Sequence, residues 1–375
     1  MKIKQILFFI AIILTIISCK NAEKKAEKPD IELKAMIGQM IMVGFQGSEI
    51  EEVNPQLLNQ IDKGYIGGII LFDYDMATKA FDRNIKSPAQ VKKLIGGLQS
   101  HAPTPLFMAI DQEGGVVNRL KPKYGFPKSV SAKYLGSLDN IDSTRFYAGL
   151  NAKTLNELGF NLNFAPVVDI DLNPNNPVIG KYERSFSDAS EIVVKHATVW
   201  VNAHDSLGIL STLKHFPGHG SADSDSHKGV TDITNYWQEE ELNPFKELGG
   251  LDKSVAIMTA HVVNNNLDSV YPATMSKKII RGILRDKLAF KGLVFSDDLQ
   301  MKAVNAQFDF NVIIKNAINA GVDVLVIGNN LEVDETIAEK AVNAIVKMVN
   351  NGDIDRNRIK ESYERVITVK EKLKL

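Results

Sequence analysis

Two short stretches of the chain carry side chains that could act together on a bond. In Asp225-Ser226-His227 a carboxylate and an imidazole stand two residues apart, on the same side of an extended loop. A carboxylate so placed can hold the imidazole tautomer and raise its pKa, which suits proton donation near neutral pH. In Ser296-Asp297-Asp298, behind an apolar run, Asp297 is expected to present an ionised carboxylate. Asp298 beside it is expected to point away and cap the following helix.

The first stretch belongs to a longer segment, Lys214–Val230, that also holds His215, His219 and Asp223. His215 and His219 have the i, i+4 spacing that suits a metal pair on a helix. Pro217, Gly218 and Gly220 disfavour a regular helix there. Metal-assisted hydrolysis and acid–base catalysis by an imidazole both stay open for this loop, and His219 alone reads as a hydrogen-bonded loop histidine. Carboxylate nucleophiles are typical of retaining glycosidases, which pass through a glycosyl–enzyme intermediate. Lys214, His215, Arg119 and Arg184 could hold sugar hydroxyls or an amide by hydrogen bonds.

These groups need elements that gather them. The chain alternates apolar runs with longer amphipathic stretches. The strand candidates are 40–45, 68–72, 106–110, 162–165, 209–213, 255–259, 293–295 and 322–327. Short β-branched runs bounded by Gly, Pro or Asp suit strands buried on both faces. Helical patterns lie between them at 87–99, 148–158, 191–204, 277–287, 334–349 and 355–373, with Ser87, Asp334 and Asp355 as start signals. Eight such units in residues 33–375 predict an α/β fold, a single-domain (β/α)8 barrel of the TIM type. A doubly wound sheet is the alternative. Five candidate strands end in polar groups: Asp111, Asp169, Lys214-His215, His261 and Asp297. A barrel brings such ends to one mouth. The polar segment 73–85 is expected to form a long loop on that face.

Composition narrows the class. The 375 residues carry 44 basic and 45 acidic side chains, a net charge of −1, which argues against a nucleic-acid partner. One cysteine excludes an intramolecular disulfide and a thiolate-rich zinc site. A basic start followed by the apolar run 6–17 reads as a secretory signal, too short to span a bilayer comfortably. Ile16-Ile17-Ser18-Cys19 resembles the bacterial lipoprotein box. That resemblance implies a signal peptide over 1–18, a lipidated Cys19, a solvated tether over 19–32 and a membrane-anchored protein of the bacterial cell envelope, facing the periplasm.

Five stretches together resemble glycoside hydrolase family 3, in its single-domain bacterial β-N-acetylhexosaminidase form. They are IDQEGG at 110–115 with Arg119, NFAPVVDI at 163–170, ERSF at 183–186, KHFPGHG at 214–220 with DSH at 225–227, and FSDDLQM at 295–301. The resemblance implies a (β/α)8 barrel and a double displacement that retains configuration. It implies Asp297 as nucleophile and His227 as general acid/base, assisted by Asp225. Asp111, Arg119, Arg184, Lys214 and His215 fall where the family binds N-acetylglucosamine. No metal and no cofactor is implied, and a carbohydrate-binding monomer is expected. Two positions depart from the family pattern. Val116 stands where many relatives have Arg, and Ser221 where they often have Asp.

Overall fold

Eight parallel strands form around one axis: β1 (Ile41–Gly44), β2 (Gly68–Ile70), β3 (Phe107–Ile110), β4 (Leu162–Asn163), β5 (Leu210–Phe216), β6 (Val255–Thr259), β7 (Val294–Phe295) and β8 (Leu325–Ile327). The computed structural model describes residues 31–375 apart from Asp82 and Asp252. The expected signal peptide, Cys19 and the tether up to residue 30 lie outside the described residues. Residues 34–375 form one unit.

Hydrogen bonding runs β7-β6-β5-β4-β3-β2-β1-β8, so the first seven strands pair with their neighbours in the chain and β8 pairs with β1. A parallel bridge between Phe295 and Val324 joins the two ends of that order. Ser296 N–H donates to Val324 O, and Leu299 N–H to Val326 O, both at 3.0 Å. The ring is closed. A doubly wound sheet would reverse its strand order and keep two open edges.

Packing explains why these runs are strands. Each of the eight is buried on both faces, the condition that selects continuous apolar segments over alternating ones. Inside, Met42, Ile70, Phe107, Phe164, Met258, Phe295 and Val326 fill the barrel. Phe164 and Phe107 meet Phe295 edge-on, with centroids 5.6 and 6.1 Å away. The floor is closed by the last helix, Arg356–Lys372, whose Lys370 Nζ donates to Gln39 Oε1 and Gly67 O at 2.7 and 2.9 Å.

The helices follow their start signals with instructive shifts. Ser87 accepts the Gln90 N–H and opens Pro88–Ser100, while Gln90 reaches back to Ser87. Asp355 caps the last helix through Asn357 N–H at 2.8 Å. Asp334 instead binds Thr336, and its helix begins at Ile337. The helix expected from 148 begins at Ile141, capped by Asn140. The segment 73–85 is a loop, pinned on the upper face by buried Arg83. That guanidinium reaches Phe45 O, Asn329 O and Asn330 Oδ1 at 2.9, 2.7 and 2.6 Å, tying together the loops after β1, β2 and β8.

Candidate active site

At the C-terminal ends of the strands, five side chains alternate in sign along one line. Arg119 Nη2 lies 3.6 Å from Asp111 Oδ2. Lys214 Nζ bridges Asp111 Oδ1 and Glu113 Oε1 at 2.8 and 2.7 Å. Arg184 grips Glu113 with two parallel bonds, Nε to Oε2 and Nη2 to Oε1, both 2.8 Å. Asp111 follows β3 directly. The hairpin Gln112–Gly114/Val117–Asn118 then turns the chain back and delivers Arg119. Burial opposes every charge in the buried part of this row, but the neighbours outweigh it. Arg184 and Lys214 hold Glu113 far below the usual carboxylate range, Glu113 raises Arg184, and Asp111 with Glu113 raises Lys214. Glu113, Arg184 and Lys214 stay ionised, and Asp111 and Arg119 keep partly open faces.

Lys214 and His215 are adjacent in β5 yet both reach this mouth. Against β6 the register shifts between Lys214 and Phe216, where the Lys214–His215 peptide is cis. Asp169, after β4, then fixes His215. It accepts the ring Nδ1–H at 2.7 Å and the backbone N–H at 3.1 Å. Arg184 Nη2 stands 3.3 Å from His215 Nε2, so the bonds place the proton on Nδ1 and a lone pair on Nε2. His215 and His219 meet edge to face with centroids 5.9 Å apart. The Nε2 of His219 turns to Ser226 Oγ at 3.3 Å. Among the described residues no three His, Cys, Asp or Glu side chains group as a metal-ligand set.

Opposite this row, Asp297 stands at the end of β7. Burial alone would raise its carboxyl, but the imidazoles of His261, His215 and His227 and the Asp298 N–H outweigh burial and hold it below the usual range. His261, at the end of β6, is oriented by Thr274 Oγ1 at 2.8 Å and Asp298 O at 3.0 Å. Asp298 does not cap the next helix, whose first flanking residue is Met301. Its Oδ1 accepts the N–H groups of Gly328 and Gln300 at 2.9 and 3.0 Å, so it ties the end of β7 to that of β8. Burial, opposed by those N–H groups and helped by Asp297, pushes Asp298 up to about 6.

His227 lies on the loop after β5. The expected extended backbone is instead a turn, closed by Lys228 N–H on Asp225 O at 2.9 Å. Asp225 Oδ1 accepts both the backbone N–H and the ring Nδ1–H of His227, each at 2.9 Å. The pairing therefore arises from an Asx turn rather than from strand alternation. Burial, outweighed by the N–H groups of His227, leaves Asp225 below the usual carboxylate range. The loop's base is rigid. Gly218 has φ +123°, and a Cβ on Gly220 would sit 1.7 Å from Ile170 O, so both positions require glycine.

Residues 32–369 match the Glycosyl hydrolase family 3 N terminal domain. The chain belongs to this family. It is 32% identical to β-hexosaminidase A of Pseudoalteromonas piscicida, over 94% of this chain and 63% of that protein. It is 34% identical to a Haemophilus influenzae β-hexosaminidase, over 78% of this chain and 80% of the relative. A family 3 β-N-acetylglucosaminidase structure from Paenibacillus sp. superposes with a TM-score of 0.81 at 34% identity, over 91% of this chain and 62% of that one. The β-N-acetylhexosaminidase of Beutenbergia cavernae superposes at 0.77 with 26% identity, over 90% and 98%. The chain thus spans under two thirds of the Pseudoalteromonas and Paenibacillus proteins.

Within the family 3 frame, the two departures sit differently. Val116 is exposed at the tip of the hairpin that carries Arg119. Ser221 is buried, and its Oγ donates to Glu241 Oε1 at 2.7 Å. An aspartate there would set a second carboxylate against a buried glutamate, so serine fits this loop. Every site residue expected from sequence gathers at the mouth except Cys19, which lies outside the described residues. Glu113, Asp169, His261 and Glu241 join them as groups that orient or neutralise. Asp169 and His261 stand at strand ends that the sequence marks, Glu113 is two residues from Asp111, and no local spacing points to Glu241.

Proposed function

We propose that this family 3 barrel is a retaining exo-β-N-acetylhexosaminidase that removes terminal β-linked N-acetylglucosamine from oligosaccharides or muropeptides. One observation carries the reading. Asp297 is held ionised within electrostatic reach of His227, whose ring Nδ1–H rests on Asp225. The relatives' names supply the sugar class.

In this mechanism Asp297 attacks C1 while His227 Nε2–H protonates the departing glycosidic oxygen. Water then enters, and His227 takes a proton from it as it displaces the sugar from Asp297. Asp225 keeps the Nδ1 proton in place and stabilises the imidazolium during both steps. Asp111, Arg119, Arg184, Lys214 and His215 bind the non-reducing sugar, already ordered by their mutual ion pairs. Water excluded by the bound sugar strengthens each of these contacts.

The test is turnover of 4-nitrophenyl N-acetyl-β-glucosaminide, with a fluorinated slow substrate to trap the intermediate. Mass spectrometry is expected to find the sugar on the peptide containing Asp297. A label on any other residue, or none with active enzyme, removes the nucleophile assignment. In phosphate buffer the expected product is the free sugar; a sugar 1-phosphate would make the protein a phosphorylase.

We also propose lipidation at Cys19. Labelled fatty acid is expected in the wild type and absent from Cys19→Ala.

A further inference from the structure

The loop that carries Asp225 and His227 is held unevenly along its length. Its base is held many times over. Glu241 accepts Gly220 N–H, Ser221 N–H and Ser221 Oγ–H at 3.2, 3.4 and 2.7 Å. Asn176 Nδ2 donates to His219 O and Gly220 O at 2.7 and 3.2 Å. Asp169 Oδ1 accepts the His219 N–H at 2.8 Å. The backbone of His219 is therefore clamped from both sides, and its ring is buried.

Beyond the base, Asn173 Nδ2 donates to Ala222 O at 3.0 Å and Tyr236 hydrogen-bonds Asp223, but the turn itself is held by far less. Ser226, 3% exposed, points inward between Asp225 and His227, whose side chain is 57% exposed. Its Oγ meets His219 Nε2 at 3.3 Å, and His219 Nδ1 bonds no other residue's side chain, so among the described residues this is the ring's one side-chain hydrogen bond. Burial and the nearby His215 push His219 down to about 4, so the ring carries no charge through the neutral range. A buried imidazole on a clamped backbone thus makes one neutral side-chain hydrogen bond, to the residue between the two members of the proposed acid–base pair.

We propose that His219 is a positioning residue that acts through Ser226, latching the Asp225–His227 turn over Asp297. The inference rests on the functional reading above, because it assigns the latch to proton transfer. It separates two parts of the site. The charged row is held by its own ion pairs and Asp297 by the end of β7, so both keep their geometry whether the latch is made or not. Asp225 and His227 move together with the turn. Release lets the turn lift for substrate entry and for the aglycone to leave, and re-formation returns the imidazole for the water step.

One neutral hydrogen bond shifts a two-state loop equilibrium by roughly fivefold. Ser226→Ala should therefore lower kcat/KM about fivefold on the β-1,4-linked N-acetylglucosamine disaccharide, whose leaving group needs an acid. On the dinitrophenyl N-acetylglucosaminide, whose leaving group needs none, kcat/KM should stay within twofold. Ser226→Thr keeps the hydroxyl and should restore the disaccharide rate. His219→Asn, too short to reach Ser226, should match Ser226→Ala, and the double variant should lose no more than either single one. A merely structural defect would lower both substrates alike. Equal losses, no loss, or full additivity overturns the latch. Amide exchange across 222–230 of the free enzyme supplies a readout without turnover. Ser226→Ala should speed it several-fold, and unchanged exchange overturns the proposal. If the wild type turns over neither glycoside, the functional reading falls while the exchange comparison still decides the latch.

Discussion

Glu113 receives both nitrogen donors of the Arg184 fork, Nε on Oε2 and Nη2 on Oε1, with each bond 2.8 Å long. Lys214 Nζ adds a third contact to the same carboxylate at 2.7 Å. Two buried cations share this anion, so its removal leaves them short of countercharge. Breaking a buried ion pair from one side costs about 3–5 kcal/mol.

Glu113→Gln is therefore expected to lower stability by about 3 kcal/mol or more. The carboxyl's pKa is depressed from 4.5, because the two cations overcome burial. Its contribution is complete above that unfolded value and fades only as pH falls through it toward the depressed one. The Tm difference between wild type and variant should then be constant from about pH 6 to pH 8 and shrink in acid. A difference that grows in acid would contradict the sign.

Asp297→Ala should abolish turnover while leaving the fold intact. The loss expected for a missing nucleophile is about 10⁴-fold or more. Because the neighbouring imidazoles outweigh burial and hold Asp297 below its ordinary 3.8, the ionised form persists into acid. On an activated substrate, where no acid is needed, wild-type kcat/KM should stay level down to about pH 4. An acidic limb centred near pH 6 on that substrate would mean that the essential carboxylate is another, with Asp298 the candidate at about 6.

The barrel was legible because the strands are short apolar runs, five of them followed within about four residues by a polar group. Boundaries moved where backbone chemistry intervened. β4 is regular only to Asn163, although Phe164 N–H still donates to Ile110 O and Thr212 N–H to Ala165 O; Pro166, with no N–H to offer, interrupts a ladder that resumes at the Val167–Lys214 bridge. The first two turns of the helix from Ile141 were hidden, since Phe146 is exposed and their apolar spacing is poor; only the Asn140 cap marks them. At the site, residue types at strand ends were readable, but partnerships were not. Glu113 meets Arg184 across 71 positions and Asp169 meets His215 across 46. Such pairs depend on which strands lie side by side, which no local spacing encodes. The Asp225–His227 pair was readable for the opposite reason: it forms within one turn.

His227→Ala should separate substrates by leaving group. With the disaccharide, loss of the acid should cost about 10²–10⁴ in kcat/KM. With a dinitrophenyl glycoside kcat/KM should change little, while kcat falls because water still needs a base. Asp225→Asn should give the same pattern more weakly, since it removes the charge beneath Nδ1 and keeps a hydrogen-bonding side chain. Equal losses on both glycosides in His227→Ala would take the acid role away from that imidazole.

Glu241 supplies a pH dependence of stability with the opposite sign to that of Glu113. Burial, only partly offset by Ser221 Oγ–H and the Gln238 and Ser221 N–H groups and reinforced by Asp169, pushes its carboxyl from 4.5 up to about 7. Between those values the folded protein holds a proton that the unfolded chain has released. Stability must therefore fall as pH rises from about 4.5 to about 7 and level off above, by roughly 3 kcal/mol in all. Glu241→Gln removes the titration while keeping an amide that can bond Ser221. Its Tm should lose the wild type's decline across that window, and the variant should gain on the wild type toward pH 8. Parallel Tm profiles for the two proteins would place the titrating group elsewhere.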